Sequence, residues 1–218
     1  MHARGSSPFN RIESIAPMNN NKLLKLALVA ACALASGATM AQESEGPWLV
    51  RARAVHLDSA NKDTTGLGLS VNDKAIPEVD VTYFFTRNIA AELVLTVPQK
   101  HDVRASTLGG KIGTLKHLPP SLLLQYHFDA PGFKPYVGAG LNYTRFSSVH
   151  LPAGVGIDKN SWGAALQVGV DIPLSKNLYL NVDLKKVYIQ ADVFAGGAKA
   201  GTFKVDPVLF GIGLGYRF

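Results

Sequence analysis

Trp162-Gly163-Ala164-Ala165-Leu166-Gln167-Val168-Gly169-Val170-Asp171-Ile172 alternates without a break. Trp162, Ala164, Leu166, Val168, Val170 and Ile172 fall on one side, and Gly163, Ala165, Gln167, Gly169 and Asp171 on the other. A strand sends successive side chains to opposite faces, so this stretch is a strand with one apolar face and one small or polar face. The last segment repeats it, with Val208, Phe210, Ile212, Leu214, Tyr216 and Phe218 opposite Gly211, Gly213, Gly215 and Arg217. Val79, Val81, Tyr83 and Phe85 oppose Glu78, Asp80 and Thr82, and Ile89, Ala91, Leu93, Leu95 and Val97 oppose Glu92 and Thr96. Charges keep to one face.

Working outward, strands are predicted near residues 48–57, 76–86, 88–98, 117–128, 135–146, 161–172, 177–189 and 205–218, eight in all. Strands of about 9–11 residues suit a tilted crossing of a hydrocarbon layer. The connections alternate in length. Residues 86–88, 129–133 and 173–176 are tight, whereas 58–75, 99–116, 147–160 and 190–204 are long and rich in Gly, Lys and Asp. Outer-membrane barrels alternate in this way, with short periplasmic turns and long outer loops. The fold class expected is therefore all-β, an eight-stranded antiparallel transmembrane β-barrel in the bacterial outer membrane.

A soluble lipocalin-like barrel would turn the apolar face inward and expose Arg51, Arg53, Glu78, Asp80, Glu92, Asp171 and Asp183 to water. The aromatics argue against it. Trp48, Tyr83, Phe85, Tyr126, Phe128, Tyr216 and Phe218 gather at one set of strand ends, and Tyr143, Trp162 and Tyr188 near the other. Amphipathic rings belong at the two bilayer interfaces. One strand fits poorly: the apolar face of Leu178, Leu180, Val182 and Leu184 runs into Lys186. Either that lysine lies above the hydrocarbon or a bulge shifts the register.

Composition agrees with one compact domain: 218 residues, 47% hydrophobic and 17% charged. Of the formal charge of +6, Arg4, Arg11, Lys22 and Lys25 against Glu13 place +3 in the first 41 residues. The remaining cations are scattered among acids, unlike the clustered basic face of a nucleic-acid binder, so no nucleic-acid partner is expected. From Met18 a basic stretch, an apolar run (Leu26 to Leu34) and small residues ending at Ala41 read as a secretory signal. Residues 1–17 read as an upstream start-site extension, 18–41 as the signal peptide and 42–218 as the barrel. Cys32, in Val29-Ala30-Ala31-Cys32, also fits a lipoprotein processing box.

Several stretches resemble the outer-membrane protein W (OmpW) family: Pro77-Glu78-Val79 leading to Tyr83-Phe84-Phe85-Thr86-Arg87-Asn88-Ile89-Ala90, His117-Leu118-Pro119-Pro120-Ser121-Leu122-Leu123-Leu124-Gln125-Tyr126, Pro135 to Tyr143, and the Gly-Tyr-Arg-Phe end. The His-Leu-Pro-Pro run is the most specific of these. The resemblance implies an eight-stranded barrel that passes small hydrophobic compounds, and in some members a receptor for bacteriocins or phage at the loops. The final Phe218 also resembles the signal read by the barrel-insertion machinery. Outer-membrane lipid is the remaining expected partner.

On the inward face, Leu49, Val55, Phe84, Val94, Leu123, Val187 and Leu209 are candidates for an apolar ligand path, with plain core packing the alternative. Apolar lumen residues suit an apolar cargo better than a polar one. Arg51, Arg53, Glu78, Asp80, Glu92, Asp183, Lys185 and Arg217 are expected to pair as a charge plug rather than line an ion path, because buried charges must be compensated. A plug would force cargo to leave sideways. Pro119 and Pro120 supply a candidate lateral opening, since proline has no N–H for a ladder; alternatively they only end a strand or lock a bulge. No catalytic residues, metal ligands or cofactor are expected. His56, His101, His117, His127 and His150 lack metal-ligand spacing and read as polar rim residues, and Gly211, Gly213 and Gly215 as close-packing positions.

Overall fold

A computed structural model describes residues 46–218; the expected extension, signal peptide and Cys32 lie outside the described residues. The described chain forms β1 (Trp48–Asp58), β2 (Lys62–Asp63), β3 (Leu69–Val71), β4 (Lys74–Phe84), β5 (Ile89–Thr96), β6 (Gln99–Ala105), β7 (Gly110–Leu118), β8 (Ser121–His127), β9 (Lys134–His150), β10 (Val155–Ile157), β11 (Asn160–Pro173), β12 (Leu178–Val187), β13 (Gln190–Ala195), β14 (Ala198–Lys204) and β15 (Val208–Arg217). Eight of these, β1, β4, β5, β8, β9, β11, β12 and β15, pair antiparallel in a ring. The ring is sealed by the β15–β1 ladder from Leu49↔Arg217 to Asp58↔Val208 and by β9–β11. Closure leaves no barrel edge with unpaired backbone groups, which is what hydrocarbon requires of a sheet.

Two expectations about the strands change. The long connections are not featureless: β3, β6 and β7 extend the barrel sheet beyond β9, and β10, β13, β14 and β2 form a second sheet. The expected strand at 117–128 is broken. His117 and Leu118 end β7, which pairs with β9 and β6, and β8 starts only at Ser121. Pro119 and Pro120 sit at the break, where neither can donate to a ladder. Likewise β15 starts at Val208, after Asp206 at φ 35° and Pro207, rather than at 205.

The faces follow the period of two. Leu124, Leu141, Leu166, Val168, Phe210, Ile212 and Leu214 stand outward, with Leu141 63% exposed. Rings pair at both margins of this band. Trp48–Tyr83 (4.7 Å), Tyr83–Phe85 (5.3 Å) and Tyr126–Phe128 (4.9 Å) lie at the end with the tight turns, and Tyr143–Trp162 (4.8 Å) at the other. Lys186 needs no bulge. It stays in register with Leu166 and Val208, and its Nζ donates to the Asp206 carbonyl toward the outer end. No helix among the described residues is long and apolar enough to cross a membrane; the crossing elements are strands.

Glycines let the inner side close up. A Cβ on Gly169 would lie 2.4 Å from the Tyr136 ring, and one on Gly213 would lie 2.0 Å from the Ala52 carbonyl oxygen. Neither position has room for a side chain.

Candidate functional site: a layered lumen with a broken wall

Each barrel strand contributes an inward residue every second position, and aligned registers stack these into layers. At the periplasmic end Leu49, Phe84, Ala90 and Tyr179 form a small apolar cluster. The His127 ring packs between Phe84 (4.7 Å) and Tyr136 (5.0 Å), and the Arg217 guanidinium lies 4.0 Å from the Phe84 ring centre. Leu49 and Phe84 thus lie apart from the other five residues expected on the apolar path. Arg217 lies in this lower layer, where its Nε donates to the Gly46 carbonyl at 2.8 Å.

The next layer is ionic. Arg51 forks onto Asp171, with Nη2–Oδ2 at 2.6 Å and Nε–Oδ1 at 3.0 Å, and also reaches Asp80 (3.1 Å) and Thr82 Oγ1 (2.9 Å). Arg53 meets Asp80 (2.5 Å), Glu92 (3.1 Å) and Glu78 (3.0 Å). Lys185 Nζ lies 3.0 Å from Glu78 and 3.5 Å from Asp183. Neutral groups complete the layer. Asp183 accepts from Tyr136 OH (2.9 Å) and Gln167 Nε2 (2.8 Å), while Asn181 bonds both Arg53 (3.1 Å) and Asp171 (2.8 Å). Seven of the eight residues expected in the plug, all except Arg217, are thereby brought together. Asp171, Tyr136, Gln167 and Asn181 join them. Their inward parity was readable, but which of them meet depends on register across strands distant in sequence.

Above the ions the lumen turns apolar. Val55, Val94, Leu123, Val187 and Leu209 join Leu57 and Ile76 in one cluster, continuous with Leu69, Val103, Leu115, Val193 and Phe203 of the loop sheets. Two cavities lie in this region. The lower, about 20 Å³, is lined by residues that include Leu57, Val94, Thr96, His117, Pro119, Ser121 and Leu209. It has room for about one water. The upper, about 120 Å³, is lined only by apolar residues, among them Leu67, Leu115, Leu151, Ile157, Val193 and Phe203. Its size approaches that of an engineered apolar cavity, about 150 Å³, that takes up benzene.

The wall beside the lower cavity is interrupted. The β5–β8 ladder ends at Val94↔Ser121 and the β6–β7 ladder starts at Gln99↔His117. Between them, Leu95 to Pro98 face Leu118 to Pro120 across the barrel wall with no ladder pairing. Three prolines occupy this stretch, and Thr96 and Pro119, from its two sides, both line the lower cavity. From the opposite side Asn142 Nδ2 donates to the Pro119 (3.2 Å) and Pro120 (3.0 Å) carbonyls, fixing the corner.

The histidine expectation is corrected in part. His101 and His117 are buried, their rings stacked at 4.6 Å with an 18° interplanar angle, and His127 is a lumen residue. His101 Nδ1 donates to the Asn72 carbonyl at 2.9 Å, while the Nε2 atoms of His101 and His117 are buried without a hydrogen-bond partner. Burial first, then the His101 and Lys74 charges, push His117 down to about 3, so the ring is neutral. Among the described residues no His, Cys, Asp and Glu group is arranged to hold a metal ion.

A closed eight-stranded barrel with a greasy outer face between aromatic margins and a filled lumen is an integral protein of the bacterial outer membrane. The chain belongs to the OmpW family, whose family model matches residues 44–218. It is 35% identical over 215 residues to outer membrane protein W of Escherichia coli, spanning 90% of this chain and all of that one. It is 28% identical to the dibenzothiophene metabolism operon protein PahQ of Pseudomonas aeruginosa over 83% of this chain and 92% of that one. The crystal structure of the outer membrane protein OprG from Pseudomonas aeruginosa superposes with a TM-score of 0.69 at 27% identity, covering 81% of this chain and 99% of that chain.

Proposed function

We propose that the protein is a passive conduit for small apolar molecules, with no chemical step. Cargo enters from the outer loops into the apolar chamber, cannot continue axially through the ionic layer, and leaves sideways into the bilayer between Leu95–Pro98 and Leu118–Pro120. The observation that carries this reading is the unladdered stretch of wall backed by a cavity that residues of both its sides line. Val55, Val94, Leu123, Val187 and Leu209 floor the path, Pro119 and Pro120 frame the exit, and the ion-paired residues seal the periplasmic half. The name of PahQ, which places that relative with the metabolism of a small apolar aromatic, points the same way. Phe218, at the end of the closing strand, serves in this reading as the contact for the insertion machinery.

Passage needs the wall to part further, because the lower cavity holds only about one water as it stands. A wall with no ladder pairing across it, although each side stays paired to its outer neighbour, is where parting costs least, since each ladder bond contributes about 0.5–1.5 kcal/mol in water and more in lipid. Pro119→Thr with Pro120→Val restores two N–H donors without adding charge. The variant should fold at least as well as the parent, yet take up naphthalene into liposomes several-fold more slowly. Parental uptake by the well-folded variant would overturn the lateral exit.

A further inference from the structure

The outward face of the loop sheet carries a concavity, away from the apolar path, of about 210 Å³ lined by Lys100, Thr114, Lys116, Ser148 and His150. Its composition follows from strand parity. β6 and β7 bury Gln99, His101, Val103, Leu115 and His117 on the inner side and so present Lys100 and Lys116 on the outer. These lysines are direct cross-strand partners, an arrangement in which like charges repel. Neither is ion-paired among the described residues. The acid nearest in register, Asp102, is held by Lys111 Nζ at 2.8 Å. On the third side the β7–β9 register slips between Thr114 and Lys116, where Ser148 takes φ 46°. The bulge brings Ser148 and His150 to the same hollow. Two cations, an imidazole and two hydroxyls converge with no carboxylate among them: the donor set of a phosphate site.

Height selects the source of the phosphate. Along β9, Ser147, the partner of Lys116, stands four residues beyond Tyr143, whose ring packs on Trp162 at the outer margin of the apolar band. At about 3.3 Å per residue and a tilt near 40°, that is roughly 10 Å above the aromatic margin, just outside the headgroups, from where the long lysine side chains reach back down to them. We propose that this hollow binds a phosphate group of an outer-leaflet lipid, and so holds the loop sheet against the membrane surface.

The full-length barrel, folded in a neutral detergent, can be titrated with diphosphorylated lipid A, with the same lipid after phosphate removal, and with inorganic phosphate. The parent should bind the phosphorylated lipid about thirtyfold more tightly than the stripped one, because each of the two surface lysines near an anionic lipid contributes about fivefold. Lys100→Gln with Lys116→Gln should abolish most of that preference, and Lys100→Arg with Lys116→Arg should keep it. Equal binding of the two lipids, or a preference unchanged in the glutamine variant, would overturn the proposal. Inorganic phosphate binding as tightly as the lipid would also overturn it, by showing a free-anion site. Folding of each variant is checked by heat-dependent gel mobility.

Discussion

On β1, Arg51 and Arg53 sit in the ionic layer, and Val55 and Leu57, the next two inward residues, sit in the apolar one. The change is repeated around the ring, from Glu92 to Val94 on β5, from Gln125 to Leu123 on β8 and from Lys185 to Val187 on β12. The two regions share strands, registers and burial; only side-chain chemistry separates them. What the difference teaches is how one small barrel can both close and carry. The ionic layer fills its volume with paired groups whose separation is costly. The apolar layer holds itself together by burial alone and keeps cavities, so a nonpolar guest displaces little.

The largest expected effect lies in the ionic layer. Three cations, Arg51, Arg53 and Lys185, meet five carboxylates, Glu78, Asp80, Glu92, Asp171 and Asp183. Losing a cation therefore leaves more uncompensated charge than losing an acid. Arg53→Met should destabilise the barrel by about 3–5 kcal/mol in urea unfolding from lipid vesicles, and Glu92→Gln by clearly less. Equal costs, or a change only in bilayer ion selectivity, would mean that the layer is watered rather than sealed.

A smaller effect is expected at the roof of the apolar region. His117, and in the same direction His101, are held below their ordinary pKa chiefly by burial. The unfolded strand pair binds protons near pH 6.5 that the folded one refuses, so stability is present above that pH and declines as pH falls through it toward about 3. Between pH 6.5 and 5 the loss from His117 alone should reach about 1.6 kcal/mol, with His101 adding to it, read as reduced hydrogen-exchange protection of β6 and β7 after correction for intrinsic rates. His117→Phe should flatten the response. Protection that does not change with pH in the parent would show the rings to be hydrated.

The eight barrel strands were legible because lipid and lumen demand opposite chemistry from alternate residues, as in Trp162 to Ile172. Inwardness of Arg51, Glu92 and Asp183 followed from the same parity. What parity could not supply was height: Leu49 and Val55 face the same lumen but lie on opposite sides of its ionic layer, and only register separates them. The loop strands escaped notice because β6 and β7 mix charges and apolar residues over short runs with Gly and bulges between, where no lipid imposes a clean face. The stacking of His101 on His117 joins two strands that read as a loop and a strand end. Pro119-Pro120 was visible as a place without donors, but Pro98 on the facing side gains its meaning only from the pairing.

The lateral exit is tested most directly by closing it reversibly. Thr96 and Pro119 line the cavity from the two sides of the unladdered wall, and Cys32 is the sole cysteine of the sequence. In a Thr96→Cys, Pro119→Cys variant with Cys32→Ala, oxidation should tie the two sides together. Naphthalene uptake into liposomes should fall to the level of protein-free vesicles and return to the parental rate on reduction. Parental uptake by the fully cross-linked barrel would contradict lateral release.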